Sequence, residues 1–461
     1  MNTSLNAARR AEDLEAAQRE VADVLVVGGG VTGAGVALDA ASRGLKTVLL
    51  EAHDLAFGTS RWSSKLVHGG LRYLAKGDVR LAHESAVERG ILMTRTAPHL
   101  TRTLPMLFPL HGTAGHFVMS GFRAGNALRI AARTPADVLP GPRRVSRHEA
   151  LALVPGLDAG KLTGGLLSYD GQLVDDARLV VALARTAAGH GAKVITRAKV
   201  VTLQGDGAEA RDTLTGASFT VRARAVINAT GVWAGTLAPV PLRPSRGSHL
   251  VLDAGSAGIT ATALTIPVPG ERNRYAFLLP QANGRAYLGL TDEPVDEIPD
   301  VPVVPESDVD FLLATASLVL QRNLTREDVI GSYAGLRPLL RAEGTTADLS
   351  RHHAVLKASN GVITIVGGKL TTYRKMAADA VNATSLTQIP CRTEDIRLVD
   401  DRPAPTTPIA PGVTEADVVH AIRHEGALDV DDVLDRRTRI GLVPSDREKA
   451  APEIAKLLTN A

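Results

Sequence analysis

The stretch that decides the fold is DVLVVGGGVTGAGVALDAASRG, residues 23–44. An aliphatic run leads into glycines at 28, 29, 30, 33 and 35, and an alanine-rich segment of helical character follows. Glycine costs backbone entropy on folding, so this density points to a main chain that something must approach more closely than side chains permit. KTVLLE at 46–51 completes the order strand, glycine turn, helix, strand. Both strands are unbroken apolar runs, as in a parallel sheet covered on its two faces. Gly28, Gly30 and Gly33 satisfy G-x-G-x-x-G between a strand and a helix. The amides of that first helical turn, including those of Val31 and Thr32, have no intrahelical acceptor and favour a pyrophosphate. Glu51 closes the second strand, where a carboxylate accepts hydrogen bonds from a ribose diol and repels a 2′-phosphate. This cradle fits NAD and FAD alike.

Two later passages repeat the texture. From Asp175, DDARLVVALARTAAGHG reads as a helix, AKVITRAKVVTL as strands, and ARAVINATG as a buried strand ending on a glycine. GVITIVGGKLTTYRKMAADAV, from Gly361, gives strand, glycine pair and helix. The expected class is α/β (α+β): one Rossmann-like domain from residues 21–100, 175–235 and 346–385, with a second inserted in it. That second domain, residues 101–174 and 236–345, is richer in proline and in short strand-like runs such as SHLVLD and YAFLLP, the mark of an antiparallel sheet. DRPAPTTPIAP, from Asp401, reads as a linker, and 405–461 as a short helical domain.

Composition removes several function classes. Of 461 residues, 44% are hydrophobic but only 3% aromatic, so Ala, Val and Leu must fill the core and base-stacking surfaces are not expected. Fifty-two Lys and Arg stand against 49 Asp and Glu, a net charge of +3 that is no nucleic-acid footprint. The single cysteine, Cys391, excludes an internal disulfide or a cysteine-ligated zinc or iron–sulfur site, and no metal is expected. Residues 1–20 lack a signal-peptide core and read as a solvated helical or frayed leader. The longest stretch free of formal charge begins at Thr103 and is interrupted by prolines and glycines, so no transmembrane segment is expected.

The choice between dinucleotides comes from TSRWSSKLVHGGLRYLAKGD, INATGVW, GSHLV, YAGLRPL and VGGKLTTYRK. In this order they resemble the FAD-dependent glycerol-3-phosphate dehydrogenase family, within the D-amino-acid-oxidase-like flavoproteins. The likeness covers about residues 21–385, and HAIRHEGALDVDDVLDRRTR resembles that family's helical C-terminal domain in shortened form. It implies FAD as cofactor, with Ser63, Ser64, Lys65, Gly69 and Gly70 lying along it. Thr59, Ser60, Val200, Ala229, Thr230 and Gly231 extend that set. Gly368, Lys369, Leu370, Thr371 and Thr372 would present amides to the flavin pyrimidine ring at another helix start.

The resemblance also carries substrate contacts onto Arg72, Tyr73, His249, Arg337, Arg351 and Lys369, cations suited to a phosphate dianion. The implied reaction takes a hydride from C2 of sn-glycerol 3-phosphate to flavin N5, giving dihydroxyacetone phosphate. His249 is expected as base and Arg337 as stabiliser of the alkoxide. Electrons would pass to a quinone. The alternatives are an oxidase using O2, an oxidase of 2-hydroxy acids or amino acids, and a non-catalytic flavin-binding protein at a membrane. Residues 115–133 alternate apolar and arginine residues, as in a helix lying on anionic lipid or one packed on the core. The resemblance favours the first, on the inner, cytoplasmic face of the membrane. Oligomeric state stays open, a homodimer included.

Overall fold

The computed structural model describes residues 2–70, 73–74, 77–111, 115–160, 162–271, 274–341 and 352–460. Two sheets organise them. In the first, parallel strands Lys193–Ile195, Thr47–Leu50, Val21–Val27, Ser218–Asn228 and Ile363–Gly367 lie side by side in that order, with His353–Lys357 antiparallel at the edge. Stretches far apart in sequence thus meet in one sheet. Alternate residues of a strand face opposite sides, and Val21–Val27 uses both. Val24 and Val26 join a core made with helices Val31–Ser42, Asp176–Gly189 and Tyr373–Ala383, while Leu25 and Val27 pack with the hairpin Ala198–Gln204 and Gly207–Asp212. Small residues let these helices approach closely: a Cβ on Gly35 would stand 2.9 Å from the Tyr373 ring.

The second sheet centres on Ser245–Asp253, Arg285–Gly289, Tyr275–Pro280, Ala263–Pro267, Thr101–Leu110 and Gly164–Leu173, with Val329–Arg337 on the other side of Ser245–Asp253. Helix Glu306–Ser317 covers it through Leu312, Leu313 and Ala316. It departs from the expected antiparallel pattern at one ladder, where Ala263–Pro267 runs parallel to Thr101–Leu110. Leu66–Val67, between the two glycine-bearing stretches of the first domain, pairs with Gly171 and Gln172 of this sheet. The segment around residues 63–70 therefore crosses from one body to the other.

The leader is helical over Ala7–Arg19 but docked rather than solvated, and it is capped by the Asn6 side chain, which accepts from Arg9 N at 2.9 Å. Ala17 is buried against the sheet, and Arg10 forms a 2.8 Å ion pair with Asp212. An apolar stripe too weak to read from pattern is thus fixed by tertiary pairing. At the other end, a capping box of Thr414 and Asp417 starts helix Glu415–His424, and Pro444–Asn460 closes the chain. This helical unit is bolted on by charge. Asp54 accepts from Arg436 Nε at 2.6 Å and from both terminal nitrogens of Arg437 at 2.8 Å, all three side chains being buried.

Candidate active site

A cavity of about 1230 Å³ opens between the two sheets. It exceeds the roughly 300–1,000 Å³ of an ordinary small-ligand pocket, leaving room for a long cofactor and a small substrate together. At one end, Gly28, Gly30, Val31 and Thr32 line its wall at the start of helix Val31–Ser42. Gly28 has φ +109°, and a Cβ there would sit 2.7 Å from the Ala229 carbonyl oxygen. The Ser60 hydroxyl accepts from Val31 N at 2.9 Å. Glu51 lines the same end; its carboxylate accepts from Gly29 N at 2.6 Å and His53 N at 2.8 Å, and burial raises its pKa. A second cradle stands further along, where Gly367 (φ +75°) and Gly368 (φ +68°) precede Lys369, Leu370 and Thr371. Successive amides in such backbone form a concavity for negative charge.

Polar side chains line another part of the wall. His249 is buried; its Nε2 lies 2.7 Å from Ser64 Oγ, and its ring stacks on Tyr333 at 4.7 Å with 9° between planes. Nδ1 has no hydrogen-bond partner among the described residues. Desolvation, then the charges of Lys65 and Arg337, push the imidazole pKa well below its ordinary value. Arg337 donates to Ser245 Oγ at 3.2 Å and Thr291 O at 3.1 Å and lies 3.5 Å from Asp292. Lys369 bonds the Ser85 hydroxyl, and its Nζ sits 4.2 Å from the centre of the Tyr73 ring.

The structure thus brings most of the expected site residues to one cavity, among them Thr59, Ser60, Ser63, Gly69, Gly70, Val200, Thr230 and Gly231. Three others stand behind its wall. Lys65 is buried with Nζ 3.0 Å from Asp176, because a desolvated ammonium needs a counter-charge more than a view of the cavity. Thr372 turns inward and donates to Lys369 O. Gly33 packs under the turn, where a Cβ would collide with the Gly28 carbonyl oxygen. Arg72 and Arg351 lie outside the described residues. Sequence reasoning missed Tyr333, although strand alternation puts it on the same face as Arg337 four residues on. It also missed Asp292 and the Arg89–Asp170 pair (2.6 Å), which line the cavity from distant segments.

Residues 23–374 match the model of FAD dependent oxidoreductases, and residues 391–461 match the C-terminal domain of alpha-glycerophosphate oxidase. Glycerol-3-phosphate dehydrogenase 1 of Mycobacterium tuberculosis is 50% identical, with 99% of each chain aligned. The chain belongs to the FAD-dependent glycerol-3-phosphate dehydrogenase family. A family member of known structure, glycerol-3-phosphate dehydrogenase from Bacillus halodurans complexed with FAD, superposes with a TM-score of 0.75 at 26% identity, covering 99% of this chain and 94% of its own. The fold is also that of L-alpha-glycerophosphate oxidase from Mycoplasma pneumoniae, with a TM-score of 0.62 and 83% of this chain covered. FAD is the cofactor of the family, and the residues present fit it: in the two cradles a Cβ on Gly28, Gly33, Gly367 or Gly368 would strike backbone or a packed side chain. Gly33→Ala is therefore expected to cost about 1–3 kcal/mol of fold stability through overpacking and to lower the flavin content of purified protein. The ratio of flavin to protein absorbance checks this; full flavin content with unchanged melting would contradict it.

On the rim, helix Gly115–Ala131 turns Val118, Met119 and Phe122 onto Phe108, Leu110 and Leu166, and leaves Ser120, Arg123 and Ile130 exposed. No helix among the described residues is long and apolar enough to cross a membrane.

Proposed function

We propose that this protein oxidises sn-glycerol 3-phosphate at C2 to dihydroxyacetone phosphate and passes the electrons to a quinone. The observation that carries the reading is the His249 imidazole, buried in the cavity that contains both glycine cradles, with one nitrogen held and the other unpartnered. The Ser64 hydroxyl fixes the ring through Nε2, and in this reading a neutral nitrogen of the imidazole takes the C2 hydroxyl proton. The lowered pKa keeps that nitrogen unprotonated at neutral pH. Arg337, steadied by Ser245, Thr291 and Asp292, stabilises the charge that grows on the C2 oxygen. Lys369 is a point charge for the phosphate, joined in this reading by Arg72, Tyr73 and Arg351. FAD, when bound, supplies the hydride acceptor.

The name of the Mycobacterium tuberculosis relative supports this substrate. A second reading, in which O2 is the acceptor, is favoured by the match of residues 391–461 to an oxidase C-terminal domain. In the quinone reading the protein works at the cytoplasmic face of the membrane, and among the exposed residues of 118–133 Arg123, Ile130 and Arg133 are those suited to meet lipid headgroups. One experiment addresses substrate and acceptor in turn. Anaerobic addition of glycerol 3-phosphate is expected to bleach the flavin absorbance, glycerol is not, and a soluble quinone analogue is expected to restore the colour faster than air. Persistent colour sinks the substrate assignment; faster recovery in air favours the oxidase.

A further inference from the structure

We infer that Arg439, in the C-terminal helical unit, is a positioning residue for His249, acting through the turn at residues 61–65. The inference rests on the reading of His249 as base. Arg439 is buried and does not line the cavity. Its Nη2 donates to the Arg61 carbonyl at 2.7 Å, its Nε lies 3.3 Å from Asp175, and its guanidinium lies 5.1 Å from the centre of the Trp62 ring. Lys65 Nζ donates to that same Arg61 carbonyl at 3.0 Å. One carbonyl is thus held by two cations from opposite ends of the chain.

What the turn does next decides the matter. Ser63 gives its amide (2.9 Å) and its hydroxyl (2.7 Å) to Asp176, and its carbonyl accepts from Tyr333 OH at 3.0 Å. Ser64 holds His249 by its edge, and Tyr333 holds it by its face. Both grips on the imidazole therefore attach to the turn that Arg439 clamps. Lys65 (φ +58°) and Arg439 (φ +64°) each adopt left-handed backbone, uncommon for residues with a Cβ and kept only where the surroundings over-determine it. A second contact runs the same way: a Cβ on Gly331 would strike the Leu442 carbonyl, so the segment after Arg439 lies against the strand that carries Tyr333.

The test is a double-mutant cycle on the flavin-loaded full chain, pairing Arg439→Met with Ser64→Ala and reading anaerobic bleaching by glycerol 3-phosphate in rapid mixing. Misplacing a reacting group by about 1 Å costs roughly a hundredfold, so Arg439→Met is expected to lower the limiting rate by about that factor. The half-saturating concentration should change little. Arg439→Lys should recover part of the rate. Because both changes loosen one grip, the double variant should bleach within about twofold of the slower single, whereas independent sites would multiply their effects. Multiplied effects, or a lowered melting temperature with an unchanged limiting rate, overturn the inference. If Arg439→Met fails to retain flavin, Arg439→Lys takes its place in the cycle under the same criteria. Wild-type protein that does not bleach withdraws the substrate reading and this inference together; bleaching wild type with multiplied effects removes only the latter.

Discussion

His249→Gln is expected to slow substrate-driven flavin reduction by about 10²–10⁴, the usual contribution of a positioned acid–base group. Glutamine preserves volume against Tyr333 and can still meet Ser64, so flavin content and melting temperature should change little. The expected pH behaviour has a definite sign. A base works only when unprotonated, and the folded pKa of His249 lies well below the ordinary histidine value because burial penalises its cationic form and Lys65 and Arg337 repel it. Activity should therefore hold as pH falls through the ordinary histidine range and drop only below it. An acid limb of kcat/KM centred at or above the ordinary histidine value would show that some other group takes the proton. Near-normal reduction by His249→Gln would show that this imidazole does not.

Asp54→Ala should be the most damaging change outside the cavity. Asp54 is the shared acceptor of two buried arginines; Arg436 retains Asp432, but Arg437 loses both of its carboxylate contacts. Breaking a buried pair by removing one partner leaves an uncompensated charge and costs about 3–5 kcal/mol. The loss should fall first on the attachment of the C-terminal unit, because Arg436 and Arg437 belong to it and Asp54 to the first sheet's domain. Limited proteolysis should then cut near residues 402–412 at low protease, ahead of any global unfolding. A denaturation midpoint and cleavage pattern equal to wild type would refute this account of the attachment.

What could be read from the sequence depended on range. Gly28, Gly30, Gly33 and Glu51 declare themselves within one βαβ unit, because turn geometry and strand alternation are local. The pairing of Val21–Val27 with Ser218–Asn228 was legible only as two apolar runs of matching character. Ser64 and His249 were each singled out, yet nothing in local spacing says they meet at 2.7 Å across 185 positions. Lys65 was misplaced for the same reason. A lysine in a polar, glycine-rich loop suggests a phosphate ligand, and its true partner, Asp176, is hidden at the start of a helix whose other residues read as plain core. The charged attachment at Asp54 was invisible, since DDVLDRRTR looks like a solvated helix until its arginines find a buried carboxylate.

The pairing Val21↔Arg222 also constrains how the molecule comes into being. A ribosome makes the glycine-turn unit first and the strand beside it some two hundred codons later, at roughly 5–20 residues per second. For on the order of ten seconds or more, one apolar border of the nascent sheet stands bare, an invitation to intermolecular pairing. Leu5 waits longer still for its bridge to Glu425. Until then, the sheet edge depends on nothing but dilution to stay unpaired.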